Sequence, residues 1–216
     1  MPGSDSIVYT NLATLLNQVT CMTLDQIVSD YISRYRTVAR AETRFFASRR
    51  NASEAICAAA LCVLPDGKRH PHQYRIPKVL LEQAEARLQL ASNRLSTAFQ
   101  FDELHDVVAR EIGAIRGIGA LTVYDITHRL GAFFGKTPQR VYLHAGTRQG
   151  AAIFGLRGES IAPHQLPNAF SRLDAAEIED CLCIYKAELK SAERISSSSC
   201  IYHRHISRAR QRAVVC

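Results

Sequence analysis

No stretch of 18 consecutive apolar residues occurs in this 216-residue chain, which removes the usual signature of a membrane-crossing helix. No Cys-x-x-Cys pair occurs either. The seven cysteines stand at positions 21, 57, 62, 181, 183, 200 and 216, an odd number without the spacing of a zinc knuckle or a disulfide framework. Cys57 and Cys62 fall in an alanine-rich apolar stretch and read as small core residues. Cys181 and Cys183 are too close together for a zinc pair, and His203-x-His205 beside Cys200 sits among Ser and Arg residues that read as a tail. No metal and no cofactor is therefore expected. The opening Met1-Pro2-Gly3-Ser4-Asp5 lacks the basic and apolar regions of a secretory leader, which favours an intracellular, reducing compartment. Carboxylates are missing locally too: none lies between Asp125 and Glu159, and none follows Glu193.

Period-two alternation is rare, and glycine and proline number only 11 and 7. Set beside long stretches rich in Ala, Leu, Glu, Gln and Arg, this predicts an all-α protein, a multi-helix orthogonal bundle. With 47% hydrophobic residues the chain is able to bury a core. The expected organisation is a single helical domain over 1–195 and a basic tail over 196–216. Thr23 with Gln26 forms a capping-box pattern ahead of the stripe Leu24, Ile27, Val28, Tyr31, Ile32 and Tyr35. Asn51 with Glu54 starts a shorter helix that should end near Leu64-Pro65. After Pro77 one long helix is predicted to about Phe99, with Val79, Leu80, Ala84, Leu88, Ala91 and Leu95 inward, and Phe101-Asp102 then break it and cap the next. Pro138 to His144 reads as a short helix, although Val141-Tyr142-Leu143 also suits a strand. Another helix opens near Ala151, and Asp174 caps a last one to about Arg194, burying Ile178, Leu182, Tyr185 and Leu189.

The net charge of +7 is unevenly spread. Residues 64–100, 134–172 and 194–216 carry +3, +4 and +5, while 101–133 and 173–193 carry −2 and −4. Basic blocks flanking acidic ones suit a polyanionic partner when the blocks converge in space. Arg34, Arg36, Arg40, Arg44, Arg49 and Arg50 lie on one polar helix face, suited either to phosphates or to solvent. Residues 65–77 hold three prolines and an Asp-Gly turn and so form a loop. It carries Lys68, Arg69, His70, His72, Tyr74 and Arg75, a mixture able to contact phosphates and to stack on a base. Thr147 and Arg148, expected near the start of a helix, would form a second anion site.

The densest signal is Ile115-Arg116-Gly117-Ile118-Gly119. Upstream, Leu104, Val107, Val108, Ile112 and Ile115 recur at offsets of three and four; downstream, Val123, Ile126, Thr127 and Leu130 do the same as far as Gly131. Two helices joined by so short a turn need glycine where the backbone takes positive φ or approaches another group closely. The N–H groups of the turn and of the next helix's first residues have no intrahelical acceptor and attract an anion.

This stretch, over about residues 103–131, resembles the helix-hairpin-helix motif of proteins that bind DNA without regard to sequence. Ile115 matches the apolar residue before Gly-apolar-Gly, Gly117-Ile118-Gly119 match the glycine pair, and Ala120-Leu121-Thr122 match the small or polar run that opens the second helix. The resemblance implies duplex DNA as partner, held by its phosphates, with Arg116 supplying charge, Thr122 a hydroxyl, and Lys68, Arg69, Arg75, Thr147 and Arg148 extending the contact. Such a protein would reside in the cytoplasm or nucleoid. There is also a distant likeness to the DNA glycosylase superfamily, from which the chain departs. Leu121 stands where a lyase places its lysine, and Val141-Tyr142-Leu143-His144-Ala145-Gly146-Thr147 contains no carboxylate to activate water. No catalytic residue is therefore assigned. Two other readings stay open: a diverged DNA-processing enzyme built on His144, His128, Asp125 or Tyr142, and a helical protein-interaction module in which Gly117 and Gly119 only shape a turn.

Overall fold

The computed structural model describes residues 22–192. The tail expected over 196–216, the boundary at 195, and Cys21, Cys200, His203 and His205 lie outside the described residues. The chain is mainly helical, and among the described residues no helix is long and apolar enough to cross a membrane.

Helix α1 (Leu24–Arg34) starts at its capping box. Thr23 Oγ1 accepts from the Gln26 N–H at 3.3 Å, and Gln26 Oε1 accepts from the Thr23 N–H at 2.8 Å. After a break at Tyr35 comes α2 (Arg36–Ala47). Most arginines of this region face carboxylates of the same chain. Arg36 and Arg40 meet Glu177 at 2.7 and 2.9 Å, Arg49 and Arg50 meet Glu54 at 3.5 and 3.0 Å, and Arg34 meets Asp30 at 3.0 Å. Helix α3 (Ala52–Ala60) is capped by Asn51 Oδ1 on the Glu54 N–H. It stops short of Leu64 because Cys62 takes a φ of 58°, outside the helical region.

The long helix expected from Pro77 to Phe99 is two, α4 (Lys78–Leu90) and α5 (Ser92–Thr97). The break at Ala91 begins the reversal that lets α6 (Phe101–Ile112) pack back against α4. Of the residues expected inward, Ala84, Leu88, Ala91 and Leu95 are buried, Leu80 is half-buried and Val79 is not buried. Leu81, Ala84 and Leu88 are buried at helical spacing, and Val79, on the opposite side, is 64% exposed. Asp102 is not the α6 cap, since the Gln100 position has no side-chain cap; Asp102 Oδ1 instead accepts from the Tyr142 hydroxyl at 2.8 Å.

Helix α7 (Ala120–Phe134) runs past Gly131 to a left-handed Gly135 at φ 68°. It is buried nearly all round, the pattern of a central helix. The segment expected as a short helix over 138–144 forms strand β1 (Val141–Tyr142), paired antiparallel with β2 (Ser160–Ile161) so that Val141 faces Ile161. The β-branched and aromatic residues there suit a pleated surface. Helix α8 (Ala145–Ile153) lies so close to α9 (Ala175–Ile184) that a Cβ at Gly150 would collide with the Leu182 carbonyl. Asp174 caps α9 in a capping box with Glu177. Beyond a break at Tyr185 the described chain stays helical to 192, with Ile178, Leu182, Tyr185 and Leu189 all buried.

Apolar residues gather in two clusters. One is built by α3 to α7, the other by α1, α8, α9 and the two strands. Where they adjoin, a cavity of about 290 Å³ opens between α2, α7 and α9.

Candidate functional site

Two features carry chemistry, the turn before α7 and the cavity along its flank. In the turn, the Ile118 N–H closes on the Ile115 carbonyl at 2.9 Å, and Ile115 and Ile118 are buried. Gly117 takes a φ of 105°, and a Cβ there would stand 2.8 Å from Leu80 Cδ1, so both backbone and space require glycine. Gly119 is different: its φ is −98° and ψ 172°, and nothing lies within 4 Å of a Cβ built on it. It occupies the N-cap of α7 with no side-chain cap, and the first turn holds no acidic residue. The N–H groups opening α7 thus have no side-chain acceptor at the cap, and Arg116, Gly117, Gly119 and Ala120 beside them are exposed.

The remaining expected phosphate contacts are placed unevenly. Thr122 is only 5% exposed and Ile118 7%, because both lie on the inward side of the turn and of α7; the Thr122 hydroxyl is not at the surface. Thr147 is fully buried and donates to Glu179 Oε1 at 2.5 Å. The expected second anion site is thus replaced by a contact inside the protein, since α8 begins at Ala145 and turns residue 147 toward α9. Arg148 Nη2 donates to the Leu143 carbonyl at 2.9 Å, Arg69 Nη1 to the Ile76 carbonyl at 2.8 Å, and Lys68 meets Asp66 at 3.6 Å. Arg75 is exposed.

The cavity gathers residues that are far apart in sequence. Leu121, Tyr124, Asp125, His128 and Arg129 reach it from α7, Glu42 and Phe46 from α2, and Glu179, Asp180 and Cys183 from α9, with His70 and His144 from the connecting segments. His144 Nε2 lies 3.1 Å from Glu179 Oε1, the oxygen that also takes the Thr147 hydroxyl. The Tyr31 hydroxyl donates to Asp180 Oδ2 at 3.1 Å. On the other side, Gln73, fully buried in the 65–77 loop, donates to Asp125 Oδ2 and accepts from Arg129 Nη2 at 3.3 Å. Arg129 Nε sits 3.5 Å from Glu42 Oε1, and His70 Nε2 sits 3.8 Å from Glu42 Oε2. The Tyr124 ring stacks on His128 at 6.0 Å and tilts against His144 at 5.2 Å.

Burial and charge act together here. Burial, followed by the negative field of Asp180, pushes the Glu179 carboxyl well up. Burial and then Glu179 and Asp180 push the Tyr124 phenol up. Burial holds His128 below the usual imidazole range. Burial thus favours the neutral forms of Glu179 and His128, and among the described residues lining the cavity Arg129 is the one permanent cation.

Of the residues expected in an enzyme reading, the fold brings Asp125, His128 and His144 together. It does not bring Tyr142, whose hydroxyl points to Asp102. The missing carboxylate between Asp125 and Glu159 is supplied from α9, by Glu179 and Asp180. Sequence reasoning overlooked these two together with Glu42, Tyr124 and Arg129, and took His70 for a phosphate or base contact of the loop, whereas it lines this cavity. One legible signal existed: Asp125, His128 and Arg129 stand at i, i+3 and i+4 within a helix whose other residues are largely apolar. Among the described residues no group of His, Cys, Asp and Glu is arranged to hold a metal ion. No protein-family model, curated protein or solved structure matches the chain.

Proposed function

We propose that the protein binds nucleic acid, duplex DNA first, through phosphate contacts at the turn between α6 and α7. The observation that carries this reading is the open N-terminus of α7: Gly119 leaves space at the N-cap, no side chain occupies it, and Arg116 stands exposed beside it. A phosphate oxygen there accepts from backbone N–H groups and meets the positive end of the helix dipole. Backbone contacts of this kind carry no sequence information. The contact is centred on the turn, because Thr122 and Thr147 are buried and Lys68, Arg69 and Arg148 are engaged within the chain. The test is binding to several duplexes of unrelated sequence at low salt. Comparable affinity for all is expected; absence of binding, or a preference of several orders of magnitude for one, overturns the reading.

One observation favours a second reading, an enzyme acting on nucleic acid: the buried pair of His144 and Glu179 lies in a cavity flanked by the same helix. Uracil-containing and abasic duplexes distinguish the two. A pure binding module leaves them intact, whereas base release or strand cleavage that disappears in Glu179→Gln makes the protein an enzyme.

A further inference from the structure

We propose that residues 74–79 form, with Arg116, a single-strand extension of the contact at the turn, so that the preferred partner is a duplex continued by unpaired nucleotides, one of whose bases stacks on Tyr74. This rests on the phosphate grip at the turn and names the form of DNA that the grip favours.

The loop before α4 fixes the backbone around Tyr74 while leaving its ring outside. On one side Gln73 is fully buried and tied to α7, donating to Asp125 and accepting from Arg129. On the other, Ile76 packs against the core, its N–H donates to the Gln73 carbonyl at 3.0 Å, and its carbonyl accepts from Arg69 Nη1 at 2.8 Å. The Tyr74 N–H closes on the Pro71 carbonyl at 3.3 Å. Between these anchors the Tyr74 side chain is 75% exposed. A base that stacks there does not have to order the loop first, which removes one of the usual costs of binding.

Charge and position point the same way. Lys68 and Lys78 are matched by Asp66 at 3.6 Å and by Glu82 at 2.8 Å, whereas the exposed Arg75 and Arg116 form no ion pair among the described residues. Two unmatched cations beside an open ring suit a phosphate chain that carries bases. The segment also adjoins the turn, since a Cβ at Gly117 would stand 2.8 Å from Cδ1 of Leu80, the third residue of α4. Tyr74 precedes Leu80 by six positions, at most about 20 Å of chain. Val79, 64% exposed, lies next to Leu80 and offers apolar surface on the way. Inside a duplex the base faces are already stacked on one another, so an exposed ring gains most from a base outside the stack. Stacking tolerates any base because each has a π-face, in keeping with a grip that reads no sequence.

One duplex in four forms tests this by fluorescence anisotropy on the full chain at fixed salt: blunt, extended by a short thymidine run at its 3′ end, extended likewise at its 5′ end, and extended by abasic residues of the same charge. A thymidine run at one of the two ends is expected to tighten binding about fivefold or more over the blunt duplex, the gain from one stacked base. The abasic run of that polarity is expected to lose most of the gain. Tyr74→Ala is expected to abolish the difference between extended and blunt duplexes, and Tyr74→Phe to keep it. The proposal fails if blunt and extended duplexes bind alike, if abasic and thymidine runs give the same gain, or if Tyr74→Ala retains it. Each of those results leaves the grip at the turn standing, whereas a protein that binds none of the four forms overturns the grip and this extension together.

Discussion

Gly119→Ala separates a phosphate grip from a plain helical turn more cleanly than any other single change. The residue has ordinary extended angles, and an added Cβ meets nothing within 4 Å. Its effect on folding is then that of replacing glycine by alanine at an N-cap, below about 1 kcal/mol. Gly117→Ala lacks that virtue. At a φ of 105° and with Leu80 Cδ1 at 2.8 Å from the new Cβ, it combines strain and crowding, about 2 kcal/mol in all, so lost binding there is confounded with lost structure. At Gly119 the methyl occupies the approach to the first N–H groups of α7. Loss of one hydrogen bond to a charged phosphate oxygen is worth about 1.5 kcal/mol or more, which is about a tenfold rise in Kd. The assay is fluorescence anisotropy with a labelled duplex at fixed salt, paired with thermal melts of both variants. A Gly119→Ala protein that melts normally and binds DNA within about twofold of the unaltered chain refutes the grip and leaves the turn a structural element.

Arg129→Met removes the contacts to Glu42 and Gln73 from a residue only 5% exposed. The stranded Glu42 carboxylate lowers stability by about 3 kcal/mol, read by urea denaturation; an equally stable variant would show that the pair is dispensable. Alkaline pH acts through the buried thiols. Burial raises Cys62 to about 11 and Cys181 to about 12, so each thiol stays protonated in the fold while in the unfolded chain it ionises near the ordinary thiol value of 9.0. Their stabilising contribution is complete below that pH and is lost as pH rises toward 11 and 12, because the folded state then holds more protons than the unfolded one. Denaturation curves across that window should show stability falling, less steeply in Cys62→Ala, and a curve identical in the variant contradicts the assignment to Cys62.

The helices were legible where side chains settle local geometry. Thr23 with Gln26, Asn51 with Glu54, and Asp174 with Glu177 each mark a helix start through a hydrogen bond made within three residues, so no distant contact has to be known. Interruptions such as Ala91 and the pairing of Val141 with Ile161 were not legible, because they depend on where the chain must turn to pack. The turn at 117–119 was readable from its glycines, yet their different tasks were not: only the position of Leu80 gives Gly117 its crowding and leaves Gly119 open. The cavity was the least visible feature. His144 and Glu179 are 35 positions apart in the sequence, and nothing local to either announces the other. Thr147 looked like an anion ligand at a helix start, and it is a donor to a buried carboxyl.

The central claim, that the turn before α7 holds a nucleic-acid phosphate, is tested most directly by measuring duplex affinity against salt for the unaltered protein and for Arg116→Gln. Each phosphate neutralised contributes about −0.9 to the slope of log K against log salt. A steep negative slope is expected, shallower by about 1 in Arg116→Gln. Affinity that barely changes with salt, or a slope unchanged by losing the Arg116 charge, contradicts the account.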